Sequence, residues 1–449
     1  MTAAAAAPKR SGVRRALSRF LGSGRNALKQ GAKAVLGQAS YRRLRFIGFT
    51  LAAATRGKSA RMAMAAHIAL ARGDLDKAER LWAALAEREP QSAAWPAWLC
   101  KAADMRTDYA RAMHIANEAW DRGVRGAELE AAYLHYRRWY LRTNSAIDEA
   151  EAAIANPQTA PQVLFDAARY LCCEGRLDTA RAGFLRLVGS QHYDRHAQYE
   201  LKALDLLDRE VAQGRALIPA WFTHARDHVM VQRPGADTTV IVITQVGGRL
   251  GVSANVVQAI LSRSNVNVIY LYDPDQAFSL TGCPSLGRGY EATLATLRDT
   301  VRAWGTRTLI TMGISASAYA AIRYGLDLAA DGVMCFSPRT DFSAEGELNG
   351  GFYPFLACLS QRGHALFPQW MKSLRPEVEA RTVCPMIEIH YGAGNANDSW
   401  HARNLEGLPG VRLVAMDCDR HDCLTEYVAR GEEDALAHFI DRVRNRASR

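Results

Sequence analysis

The chain has 449 residues, of which 49% are hydrophobic and 23% charged; that is more than one core usually organises, and it predicts two folded domains plus an extension. No apolar run reaches the roughly 18 to 20 residues that span a bilayer; the longest, Phe46 to Ala54, is preceded by 45 residues, too many for the n-region of a secretory signal. The formal charge of +10 is local: 15 Lys or Arg and no acidic residue stand before Asp74, leaving 41 basic against 46 acidic side chains from Asp74 onward.

In residues 9–45, Val13, Leu17, Phe20, Leu21, Leu28, Ala32 and Val35 recur at three- and four-residue steps among Arg14, Arg15, Arg19, Arg25, Lys29 and Lys33. This spacing predicts a basic amphipathic helix, or two broken at Gly22 to Gly24. Such an extension, 1–58, either lies on an anionic membrane or projects as a solvated arm. On a membrane, each Lys or Arg contributes up to about 1 kcal/mol. No nucleic acid partner is expected, because few aromatic residues interleave these charges.

Residues 59–214 carry a repeat. Ala78, Ala112, Ala146 and Ala180 stand at a strict 34-residue interval, with Leu75, Tyr109, Thr143 and Leu177 three residues before them. Thirty-four residues is the length of a helix-turn-helix unit in which a small residue lets the second helix approach the first. The pattern resembles the tetratricopeptide repeat: Trp82 and Phe184 occupy its large apolar position and Pro90 its terminal proline, while Ala116 and Ala150 depart from it. The resemblance implies a stack with no reaction chemistry of its own that offers a groove to a protein or peptide partner, closed by a helix near 195–214. Residues 215–237 read as a linker. There, His224 and His228 stand one helical turn apart, either as a metal pair or as structural histidines.

From Thr238 to the end, 238–449, the texture alternates between apolar strands and helices, which predicts a parallel sheet covered on both faces. Ser315 falls between the strand "TLITM" and the helix "SAYAAIRYG", in the frame Gly313-Ile314-Ser315-Ala316-Ser317. A sharp strand-to-helix turn needs small neighbours and aims the first N–H groups of the helix at a developing oxyanion, so Ala316 N–H is the first donor expected. The last strand, "VRLVAMD", leads to His421, and the one before it, "PMIEIHYG", leads to Asp398. All three groups therefore fall on loops at one sheet edge, in the order Ser, Asp, His.

These residues resemble the α/β-hydrolase superfamily over roughly 238–445. The whole is similar to bacterial proteins that join tetratricopeptide-like repeats to a compact hydrolase domain. The resemblance implies a serine esterase or acyltransferase without a cofactor: Ser315 as nucleophile, His421 as base and then acid, and Asp398 as the orienting carboxylate. Asp341 is the reserve acid. A second oxyanion N–H is implied at Gln245 or Val246. It further suggests small-molecule or glycan esters as substrates. Ser317 stands where the elbow usually has glycine, and the loop "TQVGGRLG" lacks the HGGG form.

Three other readings compete. "VITQVGGRLG" followed by Asp273 suggests a dinucleotide site, but Val246 stands where that pattern needs glycine. A repeat scaffold with a degenerate hydrolase domain is the non-enzyme reading. Cys418, His421 and Cys423 are zinc-binding residue types that lack a second ligand pair, so no metal is expected. Nine scattered cysteines without a CxxC pair predict reduced, mostly buried thiols in a cytoplasmic protein, one that touches the inner face of the membrane if the basic arm binds there. The aromatic stretch between Phe342 and Cys384 is either a lid over the site or a packing insertion.

Overall fold

A computed structural model describes residues 57–447 except 72–73, 107, 139–143, 216–226, 246–248, 274–278 and 344–372. The basic arm at 9–45, His224, Val246 and most of the aromatic stretch lie outside the described residues.

Nine helices among the described residues come first: α1 (Lys58–Ala71), α2 (Leu75–Arg88), α3 (Ala94–Met105), α4 (Tyr109–Asp121), α5 (Ala127–Tyr136), α6 (Asn144–Ala155), α7 (Pro161–Cys173), α8 (Leu177–Leu187) and α9 (Asp194–Ala212). Aspartate caps open two of them: Asp74 accepts from Lys77 N–H and Asp108 from Arg111 N–H, both at 3.0 Å. The 34-residue positions are where neighbouring helices meet. Ala78, Ala112, Ala146 and Ala180 are fully buried, and so are Trp82, Ala116, Ala150 and Phe184 one turn later. The repeat is thus a packing repeat, with large residues at that place in the first and last units and alanine in the two between. A groove of about 530 Å³ runs over α3, α5 and α7, lined by Trp98, Tyr136 and Phe165 and ending at Tyr193.

The second region is a seven-stranded sheet in the order β1 (His228–Val231), β5 (Asn267–Leu271), β2 (Thr238–Ile243), β6 (Thr308–Ile314), β7 (Gly332–Phe336), β8 (Met386–Gly392) and β9 (Val411–Met416). All pairings are parallel except that of β1 with β5. Strand β1 lies within 215–237, so that segment is not only a linker; its four residues add an antiparallel edge. The two-residue strands β3 (Arg249–Leu250) and β4 (Val252–Ser253) form a separate small ladder.

Among the described residues the region also holds helices α10 (Ala254–Leu261), α11 (Tyr290–Ala303), α12 (Ala316–Asp327), α13 (Arg375–Glu379), α14 (Ala396–Arg403), α15 (Cys423–Arg430) and α16 (Asp434–Ala447). The last two helices are divided at Gly431, with φ 71°. Alternation sorts the strands between two cores. Val240, Val242, Ile310 and Met312 pack on one face with α10, α15 and α16, while Ile241, Ile243 and Ile269 pack on the other with α11 and α12. The first core does not stop at the sheet's own helices: Ala167, Leu171, Ala203, Leu204 and Leu207 of α7 and α9 belong to it. The chain is therefore an all-α array followed by an α/β-hydrolase-like sheet sandwiched by helices, the fold class expected. The strand order reverses between β2 and β6, and the carboxyl end of β6 at that point is where such sheets bind ligands.

Candidate active site

Ser315 ends β6 and caps α12 with φ 54° and ψ −120°, a region L residues rarely enter. The surroundings hold it there. Its N–H donates to Phe336 O at 2.9 Å, and its carbonyl accepts from Arg339 N–H at 3.1 Å. Gly313 is required by the crossing of strand and helix, since a Cβ there would lie 2.4 Å from the Ser317 carbonyl oxygen.

Ser317, the residue at odds with the usual elbow, is buried and closes the turn. Its Oγ accepts from Ile314 N–H at 3.0 Å and donates to Ile314 O at 2.8 Å. Ser317→Gly leaves the Ile314 N–H without its acceptor, and loss of such a buried partner costs about 1–3 kcal/mol. The expected result is a lowered urea midpoint and slower modification of Ser315; an unchanged midpoint would show the brace to be dispensable.

His421 and Asp398 arrive from neighbouring strand ends. His421 follows β9 and precedes α15, whose N-cap is Asp422, accepting from Thr425 N–H at 3.2 Å. Asp398 lies in the first turn of α14, capped by Asn395, and is buried. His421 Nδ1 lies 2.7 Å from Asp398 Oδ1, and His421 Nε2 lies 2.7 Å from Ser315 Oγ. A carboxylate only accepts, so Nδ1 carries the proton and Nε2 accepts from the Ser315 hydroxyl. The histidine side chain is 45% exposed and the aspartate 1%, so the carboxylate is fixed inside the protein while the imidazole is open to solvent.

The remaining expected site residues divide. Ala316 N–H opens α12 beside Ser315 and has no hydrogen bond within the protein among the described residues, leaving it and the helix dipole free to face an anion. Gln245 does not supply a backbone donor: its N–H closes a turn on Arg249 O at 2.9 Å, while its side-chain Nε2 donates to Ile314 O at 3.1 Å. Val246 lies outside the described residues. Asp341 makes no hydrogen bond to His421 among the described residues; its backbone bridges to Ser373, and its Oδ1 accepts from Ser343 N–H at 2.7 Å. With both ring nitrogens of His421 engaged, Cys418 and Cys423 do not share a ligand with it; Cys423 instead accepts from Ser337 Oγ at 3.1 Å. The described cysteines are all free thiols, buried except for half-buried Cys418.

Sequence reasoning missed three supports. Gly251, with φ 84°, makes room for Asp422, whose Oδ1 would lie 2.0 Å from a Cβ placed there. Arg339 lends a backbone N–H to the elbow, and nothing in "SPRT" signals that. His401, on α14, is fully buried and its pKa is pushed down to about 3 by that burial, with Arg339 and His421 adding to the effect. It is a neutral packing residue, with Nδ1 accepting from Thr340 N–H at 3.3 Å.

The residues best placed for a metal are elsewhere: Asp227, His228 and Cys283 bring ligating atoms within 4.8 Å of one another. Ser285 already joins this group, through its N–H to Asp227 Oδ2 at 2.8 Å and its hydroxyl to Asp227 Oδ1 and to His228 Nδ1. His228 thus serves to tie the β1 edge to the loop before α11.

No family model and no curated protein matches the sequence. Among solved structures, the chain is similar to an α/β-hydrolase enzyme from the metagenome of lagoon sediments at Mar Chica, Morocco, with 12% identity over 49% of this chain and 95% of that one, at a TM-score of 0.33. A structure from a study of carboxylesterases of the thaumarchaeon Nitrososphaera gargenis shows 11% identity over 49% and 94%, at 0.35. The acylaminoacyl peptidase of Pyrococcus horikoshii shows 12% identity over 48% of this chain and 38% of its own length, at 0.35.

Proposed function

We propose that the chain is a serine hydrolase or acyltransferase that works through an acyl-enzyme on Ser315. The observation carrying this is the unbroken pair of 2.7 Å contacts from Asp398 through His421 to a serine in strained backbone geometry. In this reading Ser315 Oγ attacks an ester carbonyl while His421 Nε2 takes its proton; the carbonyl oxygen becomes an oxyanion beside Ala316 N–H, and Asp398 stabilises the imidazolium. The tetrahedral intermediate collapses as the leaving alkoxide receives the proton from His421. Water, or a second alcohol such as a sugar hydroxyl, then attacks the acyl group with His421 again as base. The helical array is read as tetratricopeptide-like on the strength of the buried 34-residue repeat.

A fluorophosphonate probe labels the unaltered protein and fails to label Ser315→Ala, while both melt alike. Absence of labelling in the unaltered protein would favour the degenerate scaffold. Turnover of p-nitrophenyl esters of short and long acyl chains, with and without a sugar acceptor, then separates hydrolysis from transfer.

A further inference from the structure

We infer that helix α9 of the array is a positioning element for the His421 turn, acting through Tyr199 and Arg420; this rests on the hydrolase reading of Ser315. Three side chains of α9, Arg195, Tyr199 and Lys202, recur at four- and three-residue steps and so share one face. Each meets the segment around His421. Arg195 Nη1 lies 3.8 Å from Asp419 Oδ1, the Arg420 guanidinium carbon stands 4.5 Å over the Tyr199 ring, and Lys202 Nζ donates to Ala429 O, near the end of α15, at 2.8 Å. Below this stripe, Ala203, Leu204 and Leu207 share a core with Leu424, Tyr427 and Val428. The turn carrying the histidine is thus clasped by a helix that ends more than 200 residues earlier in the chain.

The contacts are not equal. Arg195 and Asp419 are 57% and 76% exposed, and such surface pairs contribute little. Tyr199 is half-buried, and the Arg420 side chain is only 16% exposed, so their cation–π contact is the less hydrated and the stronger one. Arg195 Nε also donates to Tyr199 Oη at 3.1 Å, which steadies the ring. Arg420 immediately precedes His421, and Asp422, immediately after it, is fixed as the α15 cap against Gly251. The imidazole itself is 45% exposed and makes hydrogen bonds to the two other members of the site alone among the described residues. Its aim therefore depends on backbone held from both sides, and one of those holds comes from the array.

Tyr199→Leu keeps apolar bulk and removes the ring, whereas Tyr199→Phe keeps the ring and removes the hydroxyl. In the full chain, Tyr199→Leu is expected to lower kcat on p-nitrophenyl acetate about three- to tenfold with KM within about twofold, and Tyr199→Phe to stay near the unaltered value. Amide hydrogen exchange across 417–423 is expected to rise severalfold in Tyr199→Leu, with 308–327 unchanged. Unchanged exchange across 417–423 would overturn the positioning role, and so would a Phe variant as impaired as the Leu one. Failure of the unaltered protein to react with fluorophosphonate removes only the hydrolase reading, because the exchange comparison is decided without turnover.

Discussion

Asp398→Asn lowers kcat/KM for an activated ester about 10⁴-fold while leaving the melting curve close to that of the unaltered protein. The size follows from the tautomer. Asp398 Oδ1 accepts the Nδ1 proton at 2.7 Å, which leaves Nε2 free to take the Ser315 proton. An amide at this buried position turns an N–H toward Nδ1 and drives the ring proton to Nε2, where it opposes the serine instead of receiving from it. In enzymes with this arrangement that change costs about four orders of magnitude without disturbing geometry. Steady-state rates on p-nitrophenyl acetate measure it. A loss smaller than tenfold would mean that Asp398 does not set the orientation of His421.

Glu200→Ala destabilises the chain by about 3–5 kcal/mol, the range for removing one partner of a buried ion pair. Arg249 and Glu200 are 4% and 8% exposed, and Arg249 Nη2 donates to Glu200 Oε1 at 2.6 Å. Burial alone works against the Arg249 charge; the Glu200 carboxylate outweighs it and holds that pKa above the usual arginine range. Glu200 also faces Arg169 at 3.3 Å. Its removal thus leaves two guanidinium groups facing each other with no carboxylate between them. Urea midpoints for Glu200→Ala and Glu200→Gln measure the effect, with the amide variant expected between the other two. A shift under about 1 kcal/mol in the alanine variant would show that water reaches Arg249 and replaces the carboxylate.

The elbow was legible because its signal is local. Gly313, Ala316 and Ser317 crowd around Ser315 between an apolar strand and a helix, and the structure draws them together within five residues. His421 and Asp398 were legible for a different reason: in a parallel sheet every strand delivers its following loop to the same edge, so strand counting alone aligns them. The 34-residue alanines were legible as a period, and their complete burial is its physical content.

What stayed hidden depends on approach through space. Four residues, HVMV, carry too little pattern to announce an antiparallel edge, and β1 is recognisable only from its pairing with β5. Gln245 looked like an oxyanion donor because it follows the first strand of the region. Whether its N–H is free depends on how the turn closes, and it closes on Arg249. Ser317 was visible as a departure from glycine, but its two bonds to Ile314 exist only once the turn is made. The α9 contacts join residues so far apart that no window of sequence contains both.

The core shared by α7, α9 and the sheet helices bears on how this chain can be divided. Cutting it before Thr238 would strip Leu250, Val252, Val256 and Val257 of neighbours such as Leu171, Leu204 and Leu207, turning an interior into an apolar surface patch of the kind that makes proteins aggregate. A sequence boundary is therefore not a module boundary here. The array and the sheet share one interior across that boundary, so the stability of each depends on the other.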